Sequence, residues 1–419
     1  MRKILVVGAG QSGLQLALGL LAEGYDVTLA TLAGPEEVLA GNVMSTQCLF
    51  GPALRRERRH GLALWDDHAT GIGGVGVRVG DPGGATPAIS WLGRLEEPAQ
   101  SVDQRVKMST WMRLFVQGGG TLLRRRVTPE ELAETARGYA LVVVAAGRGD
   151  LAELFPRDEQ RSAFRAPQRR LTLAYVTGVE DDPSGPVLER TSITGAGEVF
   201  TLPTLSVSGP CHALMVEAVP GGPMDRPLPR EAGGEEVVAA LQGVLRRHAP
   251  WYRDRFARAR PADRGATLHG AYTPVVREPV AHLADGTPVL GMADSVVSND
   301  PITAQGANMA SLAADVHRRA IVDHGSRPFD ERFMRATFAS YWRYARQVTA
   351  WSKVMLTGPP HVWDLFRLAE RHQETADRFA DSFSDPTGLI DWFLHPERAS
   401  AYIDGVRRTH PRVGEHVAL

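Results

Sequence analysis

The sequence has little cysteine, no excess of charge of either sign and no long apolar run. Cys48 and Cys211 are its only cysteines in 419 residues, which argues against a disulfide scaffold or a cysteine-based metal site and favours a reducing compartment. The formal net charge is −1, so the overall balance does not indicate nucleic acid or an anionic membrane as a partner. We interpret the basic runs at 55–59 and 124–126 as solvated faces.

Metal, membrane and targeting signals are also missing. The thirteen histidines are scattered and form no HExxH or HxxxH pair, so we expect no zinc site. No apolar stretch reaches the roughly 18 to 20 residues that span a bilayer. Because an apolar strand is predicted almost at the N-terminus, we expect no signal peptide and a cytoplasmic protein.

The first thirty residues carry the most specific pattern in the chain. An apolar run at 4–7 predicts a buried strand, which is followed by GxGxxG at 8–13 and by a helical pattern that ends at Gly24. Residues 25–30 then predict the next parallel strand. This order indicates a dinucleotide-binding turn rather than an ordinary glycine turn.

Each glycine of the motif has a physical task. Gly8 can make the tight turn, Gly10 leaves room for a pyrophosphate, and Gly13 allows the helix to pack closely on the strand. The helix N-terminus supplies N–H groups to the phosphates. No acid follows the second strand until Glu36, so we expect Thr31 or backbone groups to bind the ribose and the nucleotide to be held less tightly.

The remaining chain predicts a mixed α/β protein. Alternation at 71–92 predicts a β-hairpin, and the apolar run at 141–147 predicts a buried parallel strand. Period-2 runs at 171–176, 192–200, 204–207 and 213–219 predict an inserted antiparallel sheet. We interpret 35–65 as a loop followed by a helix at 55–64, and we predict further helices at 102–116, 235–248, 304–321 and through most of 329–409.

Three later features indicate a flavin rather than a nicotinamide. Residues 143–147 form a strand-to-glycine element at which a flavoprotein chain passes the dinucleotide again. Asp294 follows a short strand, where its carboxylate could accept from the ribityl hydroxyls; by itself it could equally be a turn cap. Residues 300–309 supply a helix N-terminus able to stabilise negative charge on a reduced flavin.

With these motifs the chain resembles the oxygenase component of the two-component styrene and indole monooxygenases. The resemblance rests on residues 6–10, the acid-free second strand, and residues 102–105, 167–169, 202–206, 300–301 and 305–311. It implies an α/β fold with a Rossmann-like FAD-binding domain of the aromatic hydroxylase type, an inserted antiparallel β-sheet substrate domain and a helical C-terminal region. We expect the FAD-binding domain at 1–167 and 286–325, with a hairpin insertion at about 70–95, the substrate domain at 168–285 and the helical region at 326–419.

The motifs and the resemblance together define three sets of candidate residues. The cofactor set is Gly8, Ala9, Gly10, Gln11, Ser12, Gly13, Thr31, Met44, Ser45, Thr46, Arg105, Val127, Ala146, Gly147, Asp294, Pro301, Gly306, Ala307, Asn308 and Met309. The catalytic set is Ser45, Pro301, Gln305 and Gly306, and the substrate set is Val43, Gln47, Leu205, Val207 and Met215. Arg105 matches a family arginine that reaches the FAD phosphates, with a surface arginine as the alternative. Leu205, Val207 and Met215 could equally be sheet core.

Two departures from the family pattern bear on the substrate. The family's loop after the second strand often carries an arginine and an asparagine near the flavin, whereas Asn42 and Ser45 take those places here. The Gly-Gln-Gly of the helix start is Ala304, Gln305 and Gly306. The first change leaves the particular substrate open, and the second is expected to narrow the space above the isoalloxazine.

By resemblance, the protein takes reduced FAD from a separate NADH-dependent flavin reductase, forms a C4a-peroxyflavin with O2 and oxygenates an apolar aromatic alkene or indole. The cofactor carries this chemistry, so no nucleophile triad is needed. A homodimer is allowed; nucleic acid, a membrane and a metal are not expected. Two alternatives stay open: a single-component NAD(P)H-dependent aromatic hydroxylase, whose usual Asp-Gly motif is missing after Gly147, and a non-catalytic FAD-fold binding protein.

Overall fold

The computed structural model describes residues 2–409. Within them the strands are β1 Lys3–Val7, β2 Asp26–Thr31, β3 Gly71–Gly80, β4 Ile89–Gln100, β5 Thr121–Arg124, β6 Leu141–Val144, β7 Arg170–Thr177, β8 Leu188–Ile193, β9 Gly197–Ser206, β10 Gly209–Ala218, β11 Arg260–Pro261, β12 Thr267–Ala271, β13 Val275–Val276, β14 Val280–His282, β15 Pro288–Gly291 and β16 Val297–Ser298. The helices are α1 Gln11–Ala22, α2 Pro35–Ala40, α3 Gly51–Arg59, α4 Gln104–Gln117, α5 Pro129–Ala136, α6 Asp150–Glu153, α7 Gly234–His248, α8 Gly306–His324, α9 Glu331–Thr357, α10 Pro360–Ala369, α11 Gln373–Asp381 and α12 Pro396–Thr409. None of these helices is both long enough and apolar enough to cross a bilayer.

The first sheet is a parallel nucleotide-binding sheet with the order β14-β15-β6-β1-β2-β5. All neighbours in it are parallel except β14 and β15. Its central strands are continuous apolar runs because helices cover both faces of such a sheet, and side chains of α1, α4, α8 and α9 share one core with them. The predicted strands at 4–7, 25–30 and 141–147 are therefore confirmed as neighbours.

The second sheet has the order β11-β7-β10-β9-β8-β3-β4, and β12 also pairs with β7. The predicted hairpin at 71–92 is confirmed as β3 and β4, but β3 pairs in parallel with β8. Hydrogen bonding therefore joins the hairpin to the predicted substrate sheet, and the sheet is antiparallel except at that one pair. The domain boundaries stay predictions.

Some predicted elements differ from the structure. The run at 192–200 is not one strand, because β8 ends at Ile193 and the chain turns at Gly195, whose φ is +70°. The predicted loop after β2 contains α2, which Pro35 begins and whose Glu37 carboxylate accepts from the Gly34 N–H at 2.7 Å. The helix predicted at 55–64 begins and ends earlier, and β5 and α5 were not predicted.

The second sheet is covered on both faces and along its outer edge. Buried residues of α7 pack on one face, and the C-terminal helices pack on the other. At the outer edge, carboxylates of Glu370, Asp377 and Asp381 accept from the backbone N–H groups of residues 90, 94 and 96 at 2.7 to 2.9 Å. These contacts satisfy donors that an open edge strand would offer to another chain.

Candidate active site

Four groups of predicted cofactor residues lie along one edge of the parallel sheet. Gly8 follows β1, Thr31 ends β2, Gly147 lies just beyond β6, and Asp294 lies just beyond β15. These strands are adjacent in the order β15-β6-β1-β2. Because parallel strands present their carboxyl ends at the same edge, the structure brings these residues to the crevice where such folds bind nucleotides.

The glycine turn has the space that a diphosphate needs. Gly8 has a φ of +113°, and a Cβ on it would lie 2.6 Å from the carbonyl oxygen of Ala145. A Cβ on Gly13 would lie 1.9 Å from the Gly8 carbonyl oxygen, so α1 packs directly on the turn. A Cβ on Gly10 would meet no atom within 4 Å. Gly10 therefore faces open space at the N-terminus of α1, which fits a bound diphosphate.

Asp294 lies in a cleft beside the turn. A Cβ on Gly147 would lie 2.5 Å from the Asp294 Cβ, so the glycine permits this close approach. Asp294 is exposed on one side, and protein atoms surround its carboxyl group on the others. Burial raises the pKa of Asp294 to about 6, and Arg148 opposes the rise.

Arg105 joins two loops that border the crevice. Its guanidinium contacts Asp103 at 2.7 and 2.9 Å, Asp263 twice at 2.8 Å and the Gly41 carbonyl oxygen at 3.1 Å. Burial acts to lower the pKa of Arg105, but the bonds to both aspartates outweigh it and raise the pKa. All five N–H groups are engaged. Phosphate binding by Arg105 stays a prediction, and it would require one of these bonds to be exchanged.

The loop that contains Ser45 and the turn that contains Pro301 are tied together. The Asn308 side chain donates to the Cys48 carbonyl oxygen at 2.9 Å and accepts from the Phe50 N–H at 3.0 Å. Pro301–Thr303 forms a 3-10 turn, after which Ala304 takes a left-handed conformation with φ +52°. Gly306 begins α8 and is exposed. The turn and the helix start thus form one wall of the crevice.

The comparisons with known proteins agree with this geometry. Residues 147–255 match a family model described as "Styrene monooxygenase A putative substrate binding domain". Two relatives named styrene monooxygenase StyA, from Pseudomonas fluorescens and Pseudomonas sp, are 29% and 28% identical over 407 residues, which cover 95% of this chain and 96% of each relative. The chain is thus similar to the styrene monooxygenase oxygenases over nearly its whole length.

This styrene monooxygenase-like oxygenase is a flavin-dependent monooxygenase, a class that uses FAD and O2. Its Rossmann-like FAD-binding fold is also that of a solved flavin-dependent brominase, Bmp2. The two structures superpose with a TM-score of 0.67 over 97% of this chain and 99% of the brominase, at 14% sequence identity. The predicted fold class is thereby confirmed.

Two glutamines of the oxygenase have backbone partners instead of facing the crevice freely. The Gln47 amide nitrogen donates to the Val102 carbonyl oxygen at 2.6 Å, and the Gln305 amide nitrogen donates to the Phe383 carbonyl oxygen at 2.9 Å. Both side chains are buried. Their substrate and catalytic roles stay predictions, and the structure shows that each also fixes a loop.

The apolar substrate candidates of the oxygenase do not lie together. Met215 packs in the core between the second sheet and the C-terminal helices, whereas Leu205 packs against the core of the first sheet. Val207 lies in the turn between β9 and β10. Val43 is buried in the same core as Met215, while Met44 is 40% exposed beside it. Met215 therefore has the surroundings of sheet core.

Remaining members of the cofactor set lie around the same crevice or behind it. Thr46 is half-buried, Val127 packs against the first core, and Met309 is buried in it. Ala9, Ser12, Ala146 and Ala307 lie on the glycine turn, the β6 end and the α8 start. Their contacts with FAD stay predictions.

Sequence reasoning missed a buried ion pair and a buried acid of the oxygenase. Glu57 and Lys107 form an ion pair with Nζ–Oε distances of 2.6 and 2.8 Å, behind the start of α1. Glu217 is fully buried on β10. Its position, two residues after Met215 in a period-2 run, is the signal that could have identified an inward-facing acid.

Proposed function

We propose that this oxygenase is the oxygen-inserting component of a two-component system. It receives reduced FAD from a separate NADH-dependent flavin reductase and oxygenates an apolar aromatic alkene or indole. The observation that carries the proposal is the likeness to styrene monooxygenase StyA over 95% of the chain.

The chain's own residues would bind, orient and shield the flavin. The start of α1 at Gly10 would hold the diphosphate and Asp294 the ribityl chain, while the start of α8 at Gly306 would stabilise negative charge on the reduced ring. Pro301 and the loop around Ser45 would exclude water from the ring face. Reduced FAD, when bound, supplies the activation of O2.

A direct test combines the purified protein with FAD, NADH and a flavin reductase. Styrene and indole are offered separately, and styrene oxide is measured by chromatography and indigo by absorbance. We expect at least one oxygenated product, and none from the reductase without this protein. The proposal is contradicted if reduced FAD binds but neither compound is oxygenated, or if the protein forms product from NADH without a reductase.

A further inference from the structure

Glu217 is a buried acid with no hydrogen-bonding partner. It is 0% exposed, and neither carboxyl oxygen has a partner among residues 2–409. A buried carboxylate without a partner is costly, so such a group is either neutral or shares its charge with a neighbour.

The arginines near Glu217 contact other groups, although the Arg190 Nε–H has no partner among residues 2–409. Glu198 lies directly across from Glu217 on β9, and it accepts from Arg169 at 2.6 and 3.0 Å. Arg190 donates to the Ser192 hydroxyl at 2.7 Å and lies 3.9 Å from Glu198. The nearby arginines therefore form their ion pairs with Glu198, and no ion pair of Glu217 is found among residues 2–409.

Asp300 lies over the same face of the sheet. Leu171 pairs with Glu217 and with Gly270, so these three residues share a face, and Tyr272 follows two positions later. The Tyr272 hydroxyl donates to the carbonyl oxygen of Asn299, the neighbour of Asp300. This bond holds the Asp300 segment against the face from which Glu217 projects.

Asp300 is nearly buried and borders a cavity. Its side chain is 4% exposed and accepts from the Ile302 N–H at 3.2 Å, which caps the Pro301 turn. It also lines a cavity of about 280 Å³ together with Lys353 and Arg346.

Burial and the charges of Asp300 and Glu198 raise the pKa of Glu217 well above its ordinary value, and Arg169 and Arg190 oppose the rise. Burial also raises the pKa of Asp300 to about 6. Two carboxyls in one poorly hydrated site retain a proton that separate carboxyls would lose.

We propose that Glu217 and Asp300 form a carboxyl pair that holds one proton and thereby positions the Asp300–Pro301 turn beside the predicted flavin ring. Neutral Glu217 leaves Asp300 free to cap Ile302. Ionisation of both carboxyls makes them repel each other, which displaces Asp300 and the Pro301 turn that it begins. The charged and titratable groups near the pair are Arg169, Arg190, Glu198 and Tyr272. Arg161, Arg346 and Lys353 also border the cavity that Asp300 lines. The flavin part of this inference rests on the proposed function.

The pair itself is tested without flavin. The folded protein binds the proton more tightly than the unfolded chain, so the pair's contribution to stability is present at low pH and is lost as the pH rises above the ordinary carboxyl range. We expect the melting temperature of the wild type to fall between about pH 5 and 8. In Glu217→Gln the melting temperature should fall much less over the same range. Its infrared spectrum should also lack a protonated-carboxyl band that the wild type shows near neutral pH.

The control is Asp385→Asn, because Asp385 precedes Pro386 and caps Thr387 in the same way but is exposed. This variant should keep the wild-type pH slope and the infrared band. If Glu217→Gln keeps them too, the pair does not hold a proton and the proposal is overturned. Should Glu217→Gln fail to fold, Asp300→Asn replaces it. Because this variant removes a negative charge near Glu217, we expect the protonated-carboxyl band of Glu217 to disappear at a lower pH than in the wild type. A band that disappears at the same pH would overturn the pair.

The positioning role is tested by FAD affinity as a function of pH, followed by flavin fluorescence. We expect the wild-type Kd to weaken about tenfold per unit of pH once the pair loses its proton, whereas Glu217→Gln stays within about twofold. If the melting temperature of Glu217→Gln does not vary with pH but its Kd for FAD varies with pH as in the wild type, the proposed positioning role is overturned. Failure of the wild type to bind FAD at any pH would refute the proposed function, while the melting and infrared results would still decide on the pair.

Discussion

Gly10 faces open space, whereas Gly8 and Gly13 are each blocked by backbone atoms. A side chain at Gly10 should therefore leave the fold intact and occupy the place of the diphosphate. We expect Gly10→Val to keep the wild-type melting temperature without FAD and to weaken FAD binding at least about tenfold. Gly13→Ala is the comparison, since its Cβ would lie 1.9 Å from the Gly8 carbonyl oxygen and should impair folding itself. Unchanged FAD affinity in Gly10→Val would refute this placement of the diphosphate.

A substitution of Asp294 should also distinguish an effect on FAD binding from an effect on protein stability. Its pKa of about 6 is above the ordinary 3.8, so its favourable contribution to folding is complete below about pH 3.8 and is lost as the pH rises through 6. We expect Asp294→Ala without FAD to be at least as stable as the wild type at pH 8, with a smaller advantage at pH 5. FAD affinity should fall, because the ribityl chain loses an acceptor. A large drop in melting temperature with unaltered affinity would instead support a turn cap.

Ala304 takes a backbone conformation that favours glycine. Its φ is +52° and its ψ is 28°, a region that costs an L-residue with a Cβ roughly 1 to 2 kcal/mol. Part of the gain on removing the Cβ is offset by the greater freedom of glycine in the unfolded chain, so we expect Ala304→Gly to stabilise the protein by about 0.5 kcal/mol in urea unfolding. The control Ala336→Gly, at an exposed position within α9, should destabilise it by about 1 kcal/mol. Destabilisation by Ala304→Gly would show that the turn is not strained.

Single residues were predictable where chemistry and spacing act locally. The tasks of Gly8 and Gly13 follow from the motif, and the structure confirms the tight turn and the close packing. Glu217 lies on β10 and Asp300 follows β16, so the two residues are far apart in sequence. The period-2 run could have identified Glu217 as an inward-facing acid, but no local pattern relates it to Asp300.

At the scale of elements, a buried ion pair connects three helices. Lys107 of α4 contacts Glu57 of α3 at 2.6 and 2.8 Å, and Gln11 of α1 donates to the same carboxylate at 2.9 Å. Both charged side chains are 1% exposed. Burial lowers the pKa of Lys107, and Glu57 opposes this effect. The pair therefore fixes the start of α1, where the diphosphate is proposed to bind.

We expect Lys107→Met to destabilise the protein by about 3 to 5 kcal/mol, because it leaves a buried carboxylate without its cation. The measurement is urea unfolding. The double variant Glu57→Leu with Lys107→Met should recover most of this loss. As a control, Arg58→Ala removes an exposed contact with Asp66 at 2.7 Å and should cost less than about 1 kcal/mol. Equal costs for Lys107→Met and Arg58→Ala would contradict the buried role.

Elements with strong internal periodicity were predicted well, and elements fixed by partners were not. The apolar runs of β1 and β6 identify buried parallel strands because nothing else in a soluble protein buries both faces of a short segment. By contrast, β5 has four residues and no fully buried side chain, and its pairing with β2 defines it. The carboxylates that cover the β4 edge come from helices almost 300 residues away in sequence, so they could not be assigned to that edge beforehand.

At the scale of the whole molecule, two sheets and a helical C-terminal region make one oxygenase with a nucleotide crevice at the carboxyl ends of the parallel strands. The crevice contains one glycine turn of the dinucleotide type within residues 2–409. The acid that usually holds the adenosine ribose is replaced by Thr31, whose hydroxyl donates to the Ala33 carbonyl oxygen at 3.2 Å. We therefore expect the ribose to be held less tightly, which would suit the proposed exchange of the flavin with a reductase.

We propose that reducing equivalents reach the oxygenase on FAD and not directly from NADH. Stopped-flow absorbance of the oxidised FAD complex, mixed with NADH in the absence of a reductase, tests this claim most directly. We predict that the flavin band is not bleached, whereas the complex made with chemically reduced FAD reoxidises with O2 and does so faster when styrene or indole is present. Rapid bleaching by NADH alone would contradict the two-component account and favour a single-component hydroxylase.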